Sequence, residues 1–361
     1  MGAFLGNLHP DSTFLGDIGS ATRLATSAPF LGYLSEEIYE RSDFIRSGVL
    51  RRDPRLQATI GTRIEAPFFD AINATEEQIQ SNNTWGTGGA GHFTSQRVTA
   101  GTQYATITHR GFMFSADDLS KLGTGEDPLA HFRSQLADDL NRKRTAKLVS
   151  MLQGMFTTAL NANELDVSAT TGAAEANFLT AANVTAAKYL LGERGNALTT
   201  IVVHPQVAAY LETVGALTFS TAALATGGNI EWGGGGVGIT NAAVGNFMGL
   251  RVIVDSQVPI QGTAGQQEQF VCYLMGPGAV AEGEQMPMRI ETERNVPSLQ
   301  DLVAVHYHHV YHVPGVSWAS ATDNPTNAQL ATNTNWALAY DHRLIPAVKL
   351  VVNSPFGGLV P

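Results

Sequence analysis

One run of thirty residues, Asp127 to Phe156, constrains this chain more than any other. Asp127 is a good N-cap, and Pro128 falls at the first helical position, where its missing N–H costs nothing. Leu129, Phe132, Leu136 and Leu140 recur at helical spacing, and Leu148 and Leu152 continue the stripe. A helix of this length spans about 45 Å. Arg142, Lys143 and Arg144 lie between its halves, and the last two interrupt the stripe for one turn. Their stems can lie over the groove while the charges reach a carboxylate or solvent. Asp138 and Asp139 precede Arg142 and Lys143 by four residues, the favourable orientation for helix ion pairs. This face is expected to be solvated or to pair across an interface.

The segment before the helix predicts a long hairpin. Ile60, Thr62, Ile64, Ala66 and Phe68 alternate from Thr59 onward, and Val98 to Phe114 reads as the return strand. Between them the chain is polar and then Gly-rich, NNTWGTGGAGHF, with Trp85 and Phe93 as its large apolar groups. A long two-stranded hairpin is marginal alone in water, so it needs another surface, which a neighbouring subunit would supply. Residues 35–46 read as a short helix capped by Ser35. Residues 1–35 show no period, and carry the apolar pairs Phe4–Leu5, Phe14–Leu15 and Phe30–Leu31. Such an arm gains most by lying on a neighbouring surface.

Beyond the helix the pattern is mixed. Thr157–Leu179 reads as loop. Helices over Ala181–Gly192 and His204–Val214 flank a strand at 198–203. Further strands are expected at 250–255, 269–275 and 347–352, with Arg289–Glu293 paired to Leu302–Val313. Thr218–Gly238, which contains GGNIEWGGGGVG, reads as loop. The class is α+β.

Composition narrows the function. The net charge is −10. A tight grip on nucleic acid normally needs a basic face, because phosphate neutralisation dominates affinity. Charged residues are 15% of the chain, against about 25% in a typical domain. That suits a subunit hiding surface in contacts, or a loop-rich enzyme. Cys272 is the single cysteine, so no intrachain disulfide forms, and Val271 and Tyr273 beside it predict a buried thiol. No apolar run is long enough to predict a membrane helix, and MGAFLGNLHPD does not read as a signal peptide.

Motifs for chemistry are weak. Gly86, Gly88 and Gly91 satisfy GxGxxG, as do Gly233, Gly235 and Gly238. Neither follows a buried strand, which the dinucleotide fingerprint requires. His306, His308 and His312 point to one face of a strand with Val310, while Tyr307, His309 and Tyr311 occupy the other. Alternating imidazoles can bind zinc or iron, yet AVHYHHVYHV contains no carboxylate. Rings of this kind also pack well across β-ladders, which is the stronger reading. There is no GxSxG elbow, HExxH helix or phosphate loop. No catalytic residue and no cofactor is expected.

The ordered set ERSDFIRSGVLRRDP, ITHRGFMFSADDLS…GMF, TIVVHPQVAAYL, FMGLRVIVDSQVPI and EQMPMRIETERN resembles the major capsid proteins of tailed bacteriophages. The resemblance implies the HK-ninety-seven-type capsid fold. It divides the chain into an N-terminal arm (1–35), a peripheral-domain segment (36–58) and an extended loop (59–112). A peripheral domain with the spine helix (113–180, helix 127–156) and an axial domain (181–285) follow. Peripheral return strands (286–320) and a C-terminal axial segment (321–361) complete it. The implied function is a structural subunit forming pentamers and hexamers of an icosahedral head shell around double-stranded DNA. It would be assembled in the bacterial cytoplasm and found in the virion. Copies of itself, a separate scaffolding protein, a portal and a decoration protein are the expected partners, with DNA held only loosely. Phe4, Phe14, Phe30, Trp85, Phe93, Arg142 and Arg144 are the expected assembly contacts. Some members of the family crosslink through a lysine on the extended loop. This chain has no lysine from Met1 to Ser120, so no such bond is expected. An encapsulin-type cargo shell is the alternative of the same fold, and a metalloenzyme built on His306, His308 and His312 ranks far below both.

Overall fold

Of three sheets among the described residues, the smallest being the β-pair at residues 316–318 and 336–338, the two larger are bridged by one helix. The computed structural model describes residues 47–57, 61–69, 98–117, 128–216 and 243–360. Before the helix lie β1 (Leu50–Arg52), β2 (Arg63–Phe69) and β3 (Ala100–Asp117), and the helix is α1 (Pro128–Thr157). There follow β4 (Glu164–Asp166), α2 (Ala181–Tyr189), β5 (Thr200–Val203), α3 (Pro205–Thr213), β6 (Ala243–Phe247) and β7 (Leu250–Val254). Next come β8 (Ile260–Gln261), β9 (Gln269–Met275), and the long strands β10 (Val280–Asn295) and β11 (Gln300–His312). The chain closes with β12 (Val316–Trp318), the one-turn helix α4 (Asn327–Leu330), β13 (Trp336–Leu338) and β14 (Ala347–Val352).

The first sheet has the order β1-β10-β11-β3-β2; the second runs β4-β14-β9-β5-β7-β6, with β8 added to β9. Continuous apolar runs explain the second sheet, whose central strands are buried on both faces. On β9, Phe270, Cys272 and Leu274 pack under α2 and α3, while Val271, Tyr273 and Met275 face α1. The two flanking helices begin where the sequence places them. Thr180 caps α2 through its side chain, and His204 Nδ1 accepts from the Gln206 N–H ahead of α3.

The long helix touches both sheets. Leu136 and Leu140, on its first half, pack on Ala116, Ile290, Val303 and Val305 of the five-stranded sheet. Leu148, Met151, Leu152, Met155 and Phe156, on its second half, pack with Val271, Tyr273 and Val351 of the seven-stranded sheet. The interruption in the apolar stripe falls where the helix passes from one core to the other.

Several expectations need adjusting. β3 runs unbroken through residue 112, pairing with β2 over 100–106 and with β11 over 107–117. β10 runs unbroken through residue 285. Domain boundaries drawn at those two positions therefore fall inside strands. β2 begins at Arg63, just after Gly61, whose φ of 98° bends the chain; Thr59 and Ile60, where the alternation starts, lie outside the described residues. The region 157–179 is not all loop: β4 pairs in parallel with β14 at the sheet edge. The helix at 35–46, the cap Asp127 and the loop at 218–238 lie outside the described residues.

Candidate functional site

Between the two apolar halves of α1 lies a buried polar seam. Arg144 Nη2 stands 2.5 Å from Glu282 Oε1, at the start of β10. His309 Nε2 on β11 is 2.7 Å from the same carboxylate oxygen and 2.7 Å from Arg144 Nη2. One turn on, Lys147 donates to Thr108 Oγ1 at 2.8 Å, and Thr108 passes a hydrogen bond to the His309 carbonyl. The Lys147 ammonium also sits 5.0 Å from the centre of the Tyr311 ring. Arg144 and His309 thus share one buried carboxylate, with Lys147 close by on Thr108.

The electrostatics follow from that crowding. Burial, reinforced by Lys147 and Arg144, holds the His309 imidazole well below its ordinary range. Burial and the Arg144 guanidinium likewise push Lys147 far down. Burial raises Glu282 more than Arg144 and Arg52 lower it. For Arg144, burial is outweighed by Tyr311 and Glu282, and its affinity for its proton rises. The seam therefore favours one charged pair, Arg144 with Glu282, beside neutral neighbours.

The opposite face of the sheet carries the other histidines. His109 on β3 stacks on His308 of β11, with ring centres 3.9 Å apart. His308 Nδ1 lies 3.0 Å from Gln285 Oε1, and His306 stands 3.9 Å from Glu291. His312 is buried with no partner for either ring nitrogen, and burial draws its pKa down to about 4 despite Asp53. His306, His308 and His312 do share a face, but they do not converge. Among the described residues no group of three His, Cys, Asp or Glu side chains is placed to hold a metal ion.

The hairpin of β2 and β3 is clamped at its base. Arg63 pairs with Asp323 at 3.1 Å. Arg110 reaches Asn324 and the Pro325 carbonyl, and Asn324 Oδ1 also accepts from the His109 N–H at 2.9 Å. Gln103 Oε1 accepts from the Gly315 N–H at 2.8 Å. At the outer limit of its described residues, Phe69 is 79% exposed and Val98 is 63% exposed. At the turn between β10 and β11, Val296 and Leu299 are exposed too.

Of the expected contact residues, Arg142 is exposed on α1. Arg144 instead turns inward to Glu282, because the register of β10 brings that carboxylate under the helix. Phe4, Phe14, Phe30, Trp85 and Phe93 lie outside the described residues. The seam partners Glu282, Lys147 and Thr108 had no signal in the sequence. His309 had a partial one, since alternation put it on the face opposite His308.

Comparison with known proteins follows the same line. A profile of the family described as phage capsid protein matches residues 99–324. The major capsid protein of Bacillus phage SPP1 is 26% identical over 330 residues, covering 89% of this chain and 94% of that protein. Among solved structures, the capsid of Ralstonia phage GP4 aligns with a TM-score of 0.57 at 12% identity, covering 93% of each chain. The cyanophage Pam1 capsid aligns at 0.54 and 13% identity, covering 87% of this chain and 93% of that one. At such identities the two structures speak to the fold.

Proposed function

The chain belongs to the phage capsid protein family and is a structural capsid protein, and from that premise we propose that copies of it assemble into rings of five and six. The rings close into an icosahedral head shell around double-stranded DNA. The observation that carries this reading is the hairpin. Its base is fastened to residues 315–325 by an ion pair and several hydrogen bonds, while Phe69 and Val98, at the limit of the described residues, are exposed. Apolar groups held out on an anchored arm are poorly placed for a lone subunit and well placed for a neighbour. A closed shell repeats each weak contact many times, which makes the sum strong.

On this reading the seven-stranded sheet with α2 and α3 is the axial domain. The five-stranded sheet with the first half of α1 is the peripheral domain, and β2 with the outer part of β3 is the base of the extended loop. The arm, a separate scaffolding protein, a portal and a decoration protein complete the assembly. The shell forms in the host cytoplasm and persists in the virion. The net charge of −10 suits a wall that encloses DNA without gripping it. The absence of lysine from Met1 to Ser120 argues against a covalent bond from the loop.

Deleting residues 76–93 tests the reading. The expected result is a folded subunit by circular dichroism that fails to form shells in negative-stain electron microscopy and sedimentation. Normal, stable shells from the deletion would count against it.

A further inference from the structure

Near the middle of α1 a cleft of about 200 Å³ opens against the turn that follows β7. Arg142 and Thr145 line it from the helix; Asp255, Ser256 and Gln257 line it from the turn. The cleft therefore carries a charge of each sign, yet Arg142 and Asp255 form no ion pair across it. Arg142 is exposed and has no hydrogen bond or ion pair among the described residues. Asp255 accepts from the Gln257 N–H at 2.8 Å, but burial raises the proton affinity of its carboxyl more than that bond lowers it. Gln257 Oε1 is buried without a hydrogen-bond partner. Both acceptors have given up water without full return, and the donors of the guanidinium fork stand unused in the same cleft.

The turn is the fixed wall of the cleft. The Asp255 N–H donates to the Val203 carbonyl at 3.0 Å, and Val258 beyond it is buried in the core shared with the second half of α1. The helix side is less firmly held. Leu136 and Leu140 pack on the five-stranded sheet, and Leu148 and Leu152 pack with the seven-stranded one. Between them α1 is held by polar contacts, Arg144 to Glu282 and Lys147 to Thr108. A small tilt of one sheet against the other disturbs the least apolar packing at this turn of helix, and it narrows or widens the cleft. With the cleft open, Arg142 keeps its side-chain freedom and its water. With the cleft closed, its planar fork meets the Asp255 carboxylate and Gln257 Oε1 together. These opposed effects are of similar size, so a modest outside load selects between the two forms.

We propose that Arg142 and Asp255 are the two halves of a latch within one subunit, open in the free subunit and closed in the assembled shell, where it locks α1 against the turn after β7. The inference rests on the shell-forming reading above, since contacts with neighbours supply the load that closes the cleft. A double-variant cycle run on both states tests it. Arg142→Gln and Asp255→Asn each remove one charge, and the asparagine keeps an acceptor for the Gln257 N–H. In assembled shells each variant should speed dissociation in urea about tenfold, and the two together no more than either alone. Arg142→Lys, which keeps the charge without the fork, should recover part of that loss. In the unassembled subunit the two substitutions should show no coupling in the urea midpoint. Shells unchanged by the substitutions, additive effects in shells, or equal coupling in both states would overturn the latch and leave the shell reading intact. If the unsubstituted chain forms no rings or shells, the assembly reading fails and the latch fails with it.

Discussion

Arg144 and Glu282, 138 residues apart in sequence, meet at 2.5 Å beneath the long helix, with the Glu282 side chain 2% exposed. The pair sits at the one place where α1 leaves the core of the first sheet and has not yet entered that of the second. Breaking such a pair costs more than never having had it, because the remaining charge stays buried.

Glu282→Gln keeps the shape and removes the anion, leaving the buried Arg144 charge without its carboxylate. The expected loss is about 3–5 kcal/mol in urea unfolding of the unassembled subunit. Arg144→Met combined with Glu282→Leu should lose clearly less than Glu282→Gln alone. A double variant as damaged as the single one would mean that the pair is a net source of stability.

Acid should weaken the subunit through His312. Its folded pKa of about 4 lies below the ordinary value of 6.5, because burial disfavours the charged ring. The stability linked to the neutral ring is present in full above pH 6.5 and is lost as pH falls toward 4. The loss amounts to about 3 kcal/mol for this residue. His309 acts in the same direction. His312→Leu, which forfeits no hydrogen bond, should flatten the decline in urea midpoint between pH 6.5 and 4. An unchanged slope would refute the assignment.

Gly154 presents two opposed effects. Alanine in a helix interior gains about 1 kcal/mol over glycine. Here, however, a Cβ would stand 2.1 Å from the Leu330 carbonyl oxygen and 2.7 Å from Trp336 Nε1. That carbonyl is backbone and already accepts from Trp336, so it has little room to yield. Gly154→Ala is therefore expected to destabilise by 2 kcal/mol or more, on the order of an overpacked core. A raised melting temperature would show that α4 can move aside.

The exposed pair between Lys143 and Asp139 makes the contrast. It also measures 2.5 Å, but both side chains are more than 40% exposed. Asp139→Asn should cost no more than about 0.5 kcal/mol, and raising the salt concentration should erase most of that.

Local pattern reached far into this protein. The limits of α1, the strands β5, β7, β9 and β14, and the hairpin of β2 and β3 were legible because each depends on short-range spacing of apolar groups and on proline and cap positions. β4 was not legible, since a three-residue edge strand has too little pattern of its own. Nor was the continuity of β10, where Met286, Pro287 and Met288 interrupt any alternation near a pair of register shifts. The unpaired Arg142 was visible as a candidate contact, but its cleft was not, because the opposing wall comes from Asp255 to Gln257.

By itself, then, the sequence determined a long helix opened by Pro128, a hairpin ahead of it, and an apolar sheet behind them. Those properties are written in residues a few positions apart. Only the tertiary structure decided that Arg144 faces inward to Glu282, that Lys147 is buried against Thr108, and that His109 stacks on His308. Each of those pairs joins residues 39 or more positions apart. Their meeting depends on strand register and helix placement, which are set by the packing of the whole chain.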